Sequence, residues 1–176
     1  MIYIVDLDDT LVNSTTLNND SYNFALEQYN FERLSTRTRI TREKLKFIED
    51  KTLENIIQLK QFYFTQEWLP CRITLNAILI DKLRFNKKEN CYLWTKANKD
   101  RTYKIVDYCK LGNFFKDIIF DDKLNFETSI SKLKQLINFK QFIIYENNKD
   151  FFFNQNCKIV DSIKTTLFDI NGYLIG

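Results

Sequence analysis

The sequence predicts an α/β fold: a Rossmann-like parallel sheet flanked by helices, with a small α-helical segment inserted after the first strand. Three observations carry this prediction. From "CYLWT" at position 91 onward, short apolar runs alternate with amphipathic stretches, the pattern of right-handed βαβ units. At the other end of the chain, "IYIVDLDDTL" is an apolar run that stops on three carboxylates, Asp6, Asp8 and Asp9. In open parallel sheets such polar strand ends line the ligand crevice. Finally, Asp6 and Thr95 lie 89 positions apart (95 − 6), whereas a direct βαβ step needs only about 30 residues. The excess, residues 14–69, is read as an inserted helical unit, leaving 1–13 and 70–176 as the core.

Each element follows from its local pattern. "YIVDL" is a short buried strand. "LNNDSYNFALEQYN" carries Leu17, Tyr22, Ala25, Leu26 and Tyr29 near helical spacing. "ERLSTRTRITREKLKF" is polar and basic, and "TLENIIQLKQFYFTQEWL" is a helix starting at Thr52 and stopped before Pro70. "RITLNAILIDKLRF" reads as one further helix. In the core, "CYLWT", "DIIF", "QFIIYE" and "CKIVDS" are strands, and "KDFFFNQ" is a short helix. "FETSISKLKQLINF" is a helix, as is "KDRTYKIVDYCKLG", ending on Gly112. The last stretch, "TTLFDINGYLIG", is read as a hairpin candidate turning at Asn171-Gly172.

Composition narrows the function classes. The 176 residues are 44% hydrophobic, enough for a sizeable core, with a formal charge of only +3. That balance does not by itself indicate a nucleic-acid binder. No apolar run is long enough to span a bilayer, and Asp6 interrupts anything resembling a signal peptide. A cytoplasmic protein is therefore expected. With no histidine and four scattered cysteines, thiolate–imidazole zinc sites and histidine-dependent triads are disfavoured, and the thiols are expected to be free.

The strand ends bring together Asp6, Thr95, the 121–123 stretch and Glu146. Oxygen-rich clusters of this kind suit Mg²⁺, which takes a few carboxylates, substrate phosphate and water. Asp6, Asp8, Glu146 and Asp150 are the candidate ligands. The D-x-D spacing suits a carboxylate that attacks phosphorus and a second acid that handles protons. Thr95 can hydrogen-bond a phosphoryl oxygen, and Lys123 can offset its charge, with Lys96 and Lys99 as rival cations. A D-x-D pair also occurs where Mn²⁺ holds a sugar nucleotide, but that would leave Thr95, Lys123 and Glu146 without a role.

These four stretches resemble, in order, the motifs of the haloacid dehalogenase (HAD) superfamily. "DLDDT" is similar to its first motif, "YLWTKAN" to its second and "DDKLNFETSISKLKQL" to its third, with Lys123-Leu124 in place of the usual Lys-Pro. "FIIYENNKD" is similar to its fourth. The resemblance implies Asp6 as nucleophile and metal ligand, and Asp8 as general acid/base with its backbone carbonyl on the metal. It also implies Thr95 and Lys123 as holders of the phosphoryl group. Glu146, supported by Asp150, completes the metal site in one alignment; in the other, Asn147 stands where a carboxylate would be.

The insert resembles the family's helical C1 cap. Its Arg39 and Arg42 are candidate substrate contacts within a basic stretch that otherwise reads as a solvated face. Phe62, Phe64 and Trp68 are read as cap packing before base stacking. The expected activity is thus a Mg²⁺-dependent phosphomonoesterase for a small phosphorylated metabolite, such as a nucleotide or sugar phosphate. A nucleic-acid end phosphatase or binder, or a HAD-like module without turnover, is the alternative. No membrane partner is expected, and the sequence gives no oligomeric state.

Overall fold

The computed structural model describes residues 2–66, 73–137, 142–147 and 163–166. Five parallel strands form the sheet: β1 (Ile2–Val5), β4 (Cys91–Thr95), β5 (Asp117–Phe120), β6 (Phe142–Tyr145) and β7 (Ile163–Thr166). Their spatial order is β5-β4-β1-β6-β7. The sheet class is the expected one. Its last strand falls on "IKTT", whereas "CKIVDS", "KDFFFNQ" and the Asn171-Gly172 turn lie outside the described residues.

β1 is central, and side chains on its two faces enter different cores. Ile2 and Ile4 pack with Tyr92, Trp94, Ile144, Ile130 and Leu133, beneath α5 (Phe126–Ile137). Val5 joins Leu93, Cys91, Ile105 and Leu83 on the opposite face, beneath α3 (Ala77–Arg84) and α4 (Lys99–Tyr108). Burial on both faces is why these strands read as continuous apolar runs without polar alternation. The order of strands reverses on either side of β1: β4 and β5 lie to one side, β6 and β7 to the other. A crevice at the carboxyl end of β1 is the usual ligand position in such sheets.

Two expectations are corrected. "RITLNAILIDKLRF" is not one helix. Its Thr74–Leu75 (β3) pairs antiparallel with Val12–Asn13 (β2), and α3 starts only at Ala77, capped by Asn76 Oδ1 accepting from Leu79 N at 3.1 Å. The helix over 99–112 also stops early, at Tyr108. Lys110, with φ 55°, takes the left-handed turn there, not Gly112, which lies in a following 3₁₀ turn at Leu111–Asn113.

Between β2 and β3 runs the helical insert, α1 (Thr15–Gln28) and α2 (Asp50–Gln66), with a small core of its own from Tyr22, Leu26, Ile40, Leu45, Ile48 and Ile56. α1 buries three asparagines, Asn18, Asn19 and Asn23, and each is used. Asn23 exchanges two hydrogen bonds with the Leu34 backbone, at 2.8 and 3.0 Å. Asn19 accepts from Ile40 N at 2.8 Å and donates to Thr38 O at 3.0 Å, and Asn18 donates to Ile40 O at 3.0 Å. The basic loop at 34–40 thus takes its backbone partners from side chains instead of a strand. Replacing Asn19 by Ala strands the Ile40 amide in a buried setting, and about 1–3 kcal/mol of stability should be lost. A urea denaturation midpoint unchanged from wild type would refute this.

Candidate active site

The DLDDT stretch makes a tight loop at the tip of β1. Asp6 N continues the β1–β6 ladder by donating to Tyr145 O at 2.9 Å, after which Leu11 N and Val12 N both return to Leu7 O. Asp9 sits in the left-handed region with φ 59°, a strained setting that its side chain offsets. Its Oδ1 accepts from the backbone of Ser14 at 3.0 Å and of Thr15 at 2.9 Å, so it caps α1. Thr10, fully buried, ties three segments together. Its hydroxyl accepts from Asn147 N at 3.0 Å, and its carbonyl accepts from Asn76 Nδ2 at 3.1 Å.

At this end of the sheet Asp6, Lys123 and Glu146 meet. Lys123 Nζ donates to Asp6 Oδ1 and to Glu146 Oε2, both at 2.6 Å, and lies 4.4 Å from the Trp94 ring centroid. All three residues are buried: side-chain exposure is 7% for Asp6, 6% for Lys123 and 4% for Glu146. Lys123 itself adopts φ 52°. One ammonium between two carboxylates leaves a net negative charge. Burial, reinforced by Glu146 and only partly opposed by Lys123, pushes Asp6 up to about 7. The same two carboxylates raise Lys123 although burial opposes this. Of the lysines weighed from sequence, Lys123 is thus the one seated between the carboxylates. Thr95, 1% exposed, ends β4 beside β1; its Oγ1 accepts from Ala97 N at 3.1 Å.

Asp8 faces elsewhere. Its carboxylate is ion-paired with Arg101, lies 3.5 Å from Arg39 Nη2, and accepts from the Ser14 hydroxyl. Burial raises its pKa, but Arg101 and Arg39 outweigh burial and bring it down to about 2. Arg39 also holds Asp9 at 2.6 Å. The structure therefore separates the clustered acids into a negative triad around Lys123 and a cation-rich group around Asp8. Of the candidate substrate contacts, Arg39 reaches this group, whereas Arg42 is exposed. Asp150 and Trp68 lie outside the described residues.

Three neighbours of Asp8 escaped sequence reading. Ser14, whose hydroxyl donates to Asp8, directly precedes α1. Arg101 is placed by the Asn98 cap, whose Oδ1 accepts from Arg101 N at 3.2 Å on the first turn of α4. Lys60 is 2% exposed and falls between Ile56 and Phe64 on the buried stripe of α2. A lysine at i+4 within an apolar stripe was the available signal.

Whether a divalent cation suits this site depends on its donors. Asp6 and Glu146 are buried carboxylates with more negative charge than Lys123 neutralises, and hard cations such as Mg²⁺ favour such oxygens. Among the described residues no group of three or more His, Cys, Asp or Glu side chains could hold a metal ion. The fit therefore rests on two carboxylates, Asp6 and Glu146, which would hold a cation together with other oxygen donors.

No family model matches the chain, and no curated protein does. Solved structures do. A predicted phosphoglycolate phosphatase from Haemophilus somnus superposes with TM-score 0.70 at 15% identity, over 98% of this chain and 86% of that one. A haloacid dehalogenase-like family hydrolase from Streptococcus pneumoniae gives 0.63 at 17% identity, over 84% and 76%. This is the HAD-like fold. A HAD-superfamily hydrolase of subfamily IA from Geobacter sulfurreducens, at 0.61 and 14% identity over 85% and 79%, shares the HAD-like architecture as well. Among the described residues no helix is long and apolar enough to cross a membrane. Cys91 and Cys109 are free thiols, with Cys91 pushed up to about 11 by burial.

Proposed function

We propose that this HAD-like chain is a Mg²⁺-dependent phosphomonoesterase that acts on a small phosphorylated metabolite through an aspartyl-phosphate on Asp6. What carries the assignment is Lys123, held between Asp6 and Glu146 at the tips of β1 and β6 with Thr95 ending the adjacent β4. Asp6 attacks phosphorus, and the alcohol leaves with the electron pair of the broken P–O bond. Lys123 and the Thr95 hydroxyl hold the phosphoryl oxygens and stabilise their charge. Asp8 gives a proton to the leaving oxygen and takes one back from the water that hydrolyses the acyl phosphate. To act as the acid it must be loosened from Arg101 and Arg39, which hold it ionised.

Asp6, Glu146 and the Asp8 carbonyl, with Asp150 in support, would hold the Mg²⁺. The cation would neutralise the carboxylates and polarise the phosphoryl group. The insert, residues 14–69, is assigned as the cap that covers the site and excludes water. The experiment is phosphate release from a panel of phosphomonoesters in Mg²⁺ and after chelation. Turnover should fall to background on chelation and return with Mg²⁺. Chelator-resistant turnover, or none on any ester, would overturn the proposal.

A further inference from the structure

We propose that Arg101 is the positioning residue for Asp8 in the hydrolytic half of the reaction, holding one carboxylate oxygen so that the other can take a proton from the attacking water. This rests on the phosphatase reading above and adds to it a residue outside the four motif-like stretches.

Asp8 is held from two sides. Ser14 Oγ donates to Oδ1, and Arg39 Nη2 lies 3.5 Å from the same oxygen; both belong to the insert. Oδ2 is ion-paired with Arg101 Nη2, on the first turn of α4 in the core. The two oxygens thus answer to different units, and the core contact is the one that shares a frame with the rest of the site. Thr95 ends β4, and the turn after it is braced. Thr95 Oγ1 accepts from Ala97 N at 3.1 Å, Asn98 Oδ1 accepts from Arg101 N at 3.2 Å, and Thr102 Oγ1 donates to Asn98 O at 2.9 Å. Arg101 therefore fixes Asp8 against the strand end that carries Thr95, the proposed phosphoryl holder.

Burial argues that this arginine does more than pack. Its side chain is 6% exposed, and its guanidinium lies 4.9 Å from the ring centroid of fully buried Phe64 on α2. Its Nε has no hydrogen-bond partner among the described residues. A buried guanidinium with an unmet donor is less stable there than an apolar side chain filling the same space. What it gives the site is a carboxylate fixed to a rigid part of the core. A planar guanidinium on a capped helix sets the direction of Asp8 in a way that a flexible ammonium does not.

In the hydrolytic half, the water oxygen bonds to phosphorus as the bond between phosphorus and the Asp6 oxygen breaks. That electron pair returns to the Asp6 carboxylate, and the water proton passes to Asp8 Oδ1, while Arg101 keeps Oδ2. Delivery of this proton to a leaving oxygen in the next cycle asks the pair to loosen; its uptake from water does not. A carboxylate misplaced by about 1 Å should cost the step roughly 100-fold.

p-Nitrophenyl phosphate separates the halves, because p-nitrophenolate leaves without a proton. Wild type should release nitrophenolate linearly from the first turnover. Arg101→Met should release about one nitrophenolate per enzyme in a burst, as the aspartyl-phosphate accumulates, and then run about 100-fold slower than wild type. Arg101→Lys keeps the charge in a folded chain but not the fixed fork, and should show the same burst with a smaller fall; it decides the matter if the methionine variant does not fold. Burst and steady state falling together in a folded variant would make Arg101 a purely structural residue and overturn the role. Linear release at the wild-type rate in either variant would overturn it too, and both results leave the phosphatase reading standing. Wild type that turns over no ester would overturn that reading and this role with it.

Discussion

Asp6→Asn should abolish phosphate release while leaving the protein folded, and above neutral pH more stable than wild type. An amide cannot form the acyl phosphate, so turnover should drop by a factor on the order of 10⁴ or more, the scale seen when a covalent nucleophile is removed. The stability half follows from linkage. Asp6 has a folded pKa of about 7 against an ordinary 3.8, because it is buried beside Glu146. The folded state therefore binds the proton more tightly than the unfolded chain. The stability this supplies is complete below pH ~4 and is lost as pH rises through ~7. Asparagine cannot ionise and escapes that loss. In chelator, the variant's melting temperature should match or exceed wild type at pH ~8, and the gap should close towards pH ~4. Destabilisation with residual turnover would mean that Asp6 is a structural carboxylate.

Much of the fold was legible because the central strands β1 and β4 are buried on both faces and β5 is an apolar run beside them. "CYLWT" and "DIIF" became β4 and β5 as written, since apolar runs bounded by polar residues leave little choice of register. "RITLNAILIDKLRF" misled because a two-residue strand has no periodicity to detect. Thr74 and Leu75 are extended because they pair with Val12 and Asn13, a partner more than 60 positions away. Gly112 misled for a different reason. Glycine is the usual left-handed residue after a helix, but Lys110 occupies that conformation first.

At the site, Asp6, Lys123 and Glu146 were placed by following strand ends, and their convergence depends only on sheet topology. The group around Asp8 depends on how the insert lies over the core, which no local pattern encodes. Arg39 is carried there by the hydrogen bonds of Asn18 and Asn19, and Lys60 by the stripe of α2. From sequence α1 shows only the helical spacing of Leu17, Tyr22, Ala25, Leu26 and Tyr29, whereas three of its asparagines hold the loop at 34–40 as a strand edge would.

Lys123→Met should be the most destabilising single change in the core. Methionine fills a similar volume and accepts the same left-handed backbone no worse, so the effect isolates charge. What remains is two buried carboxylates, Asp6 and Glu146, with their shared ammonium gone. Breaking a buried ion pair by removing one partner costs roughly 3–5 kcal/mol, because the other charge stays buried uncompensated. The loss should depend on pH in a definite direction. At low pH Asp6, whose pKa burial already raises, takes up a proton and the variant should approach wild-type stability; as pH rises and Asp6 ionises, the gap should widen. Adding Glu146→Gln to Lys123→Met should recover part of the loss, since one of the two charges is then absent. Mg²⁺ supplies a second check. If Asp6 and Glu146 bind it, millimolar Mg²⁺ should raise the variant's melting temperature, as any ligand that favours the folded state does. Urea denaturation of the single and double variants across pH decides the matter. A Lys123→Met protein as stable as wild type at neutral pH would show that the ammonium does not sit between the two carboxylates, and the catalytic assignment of all three would fall with it.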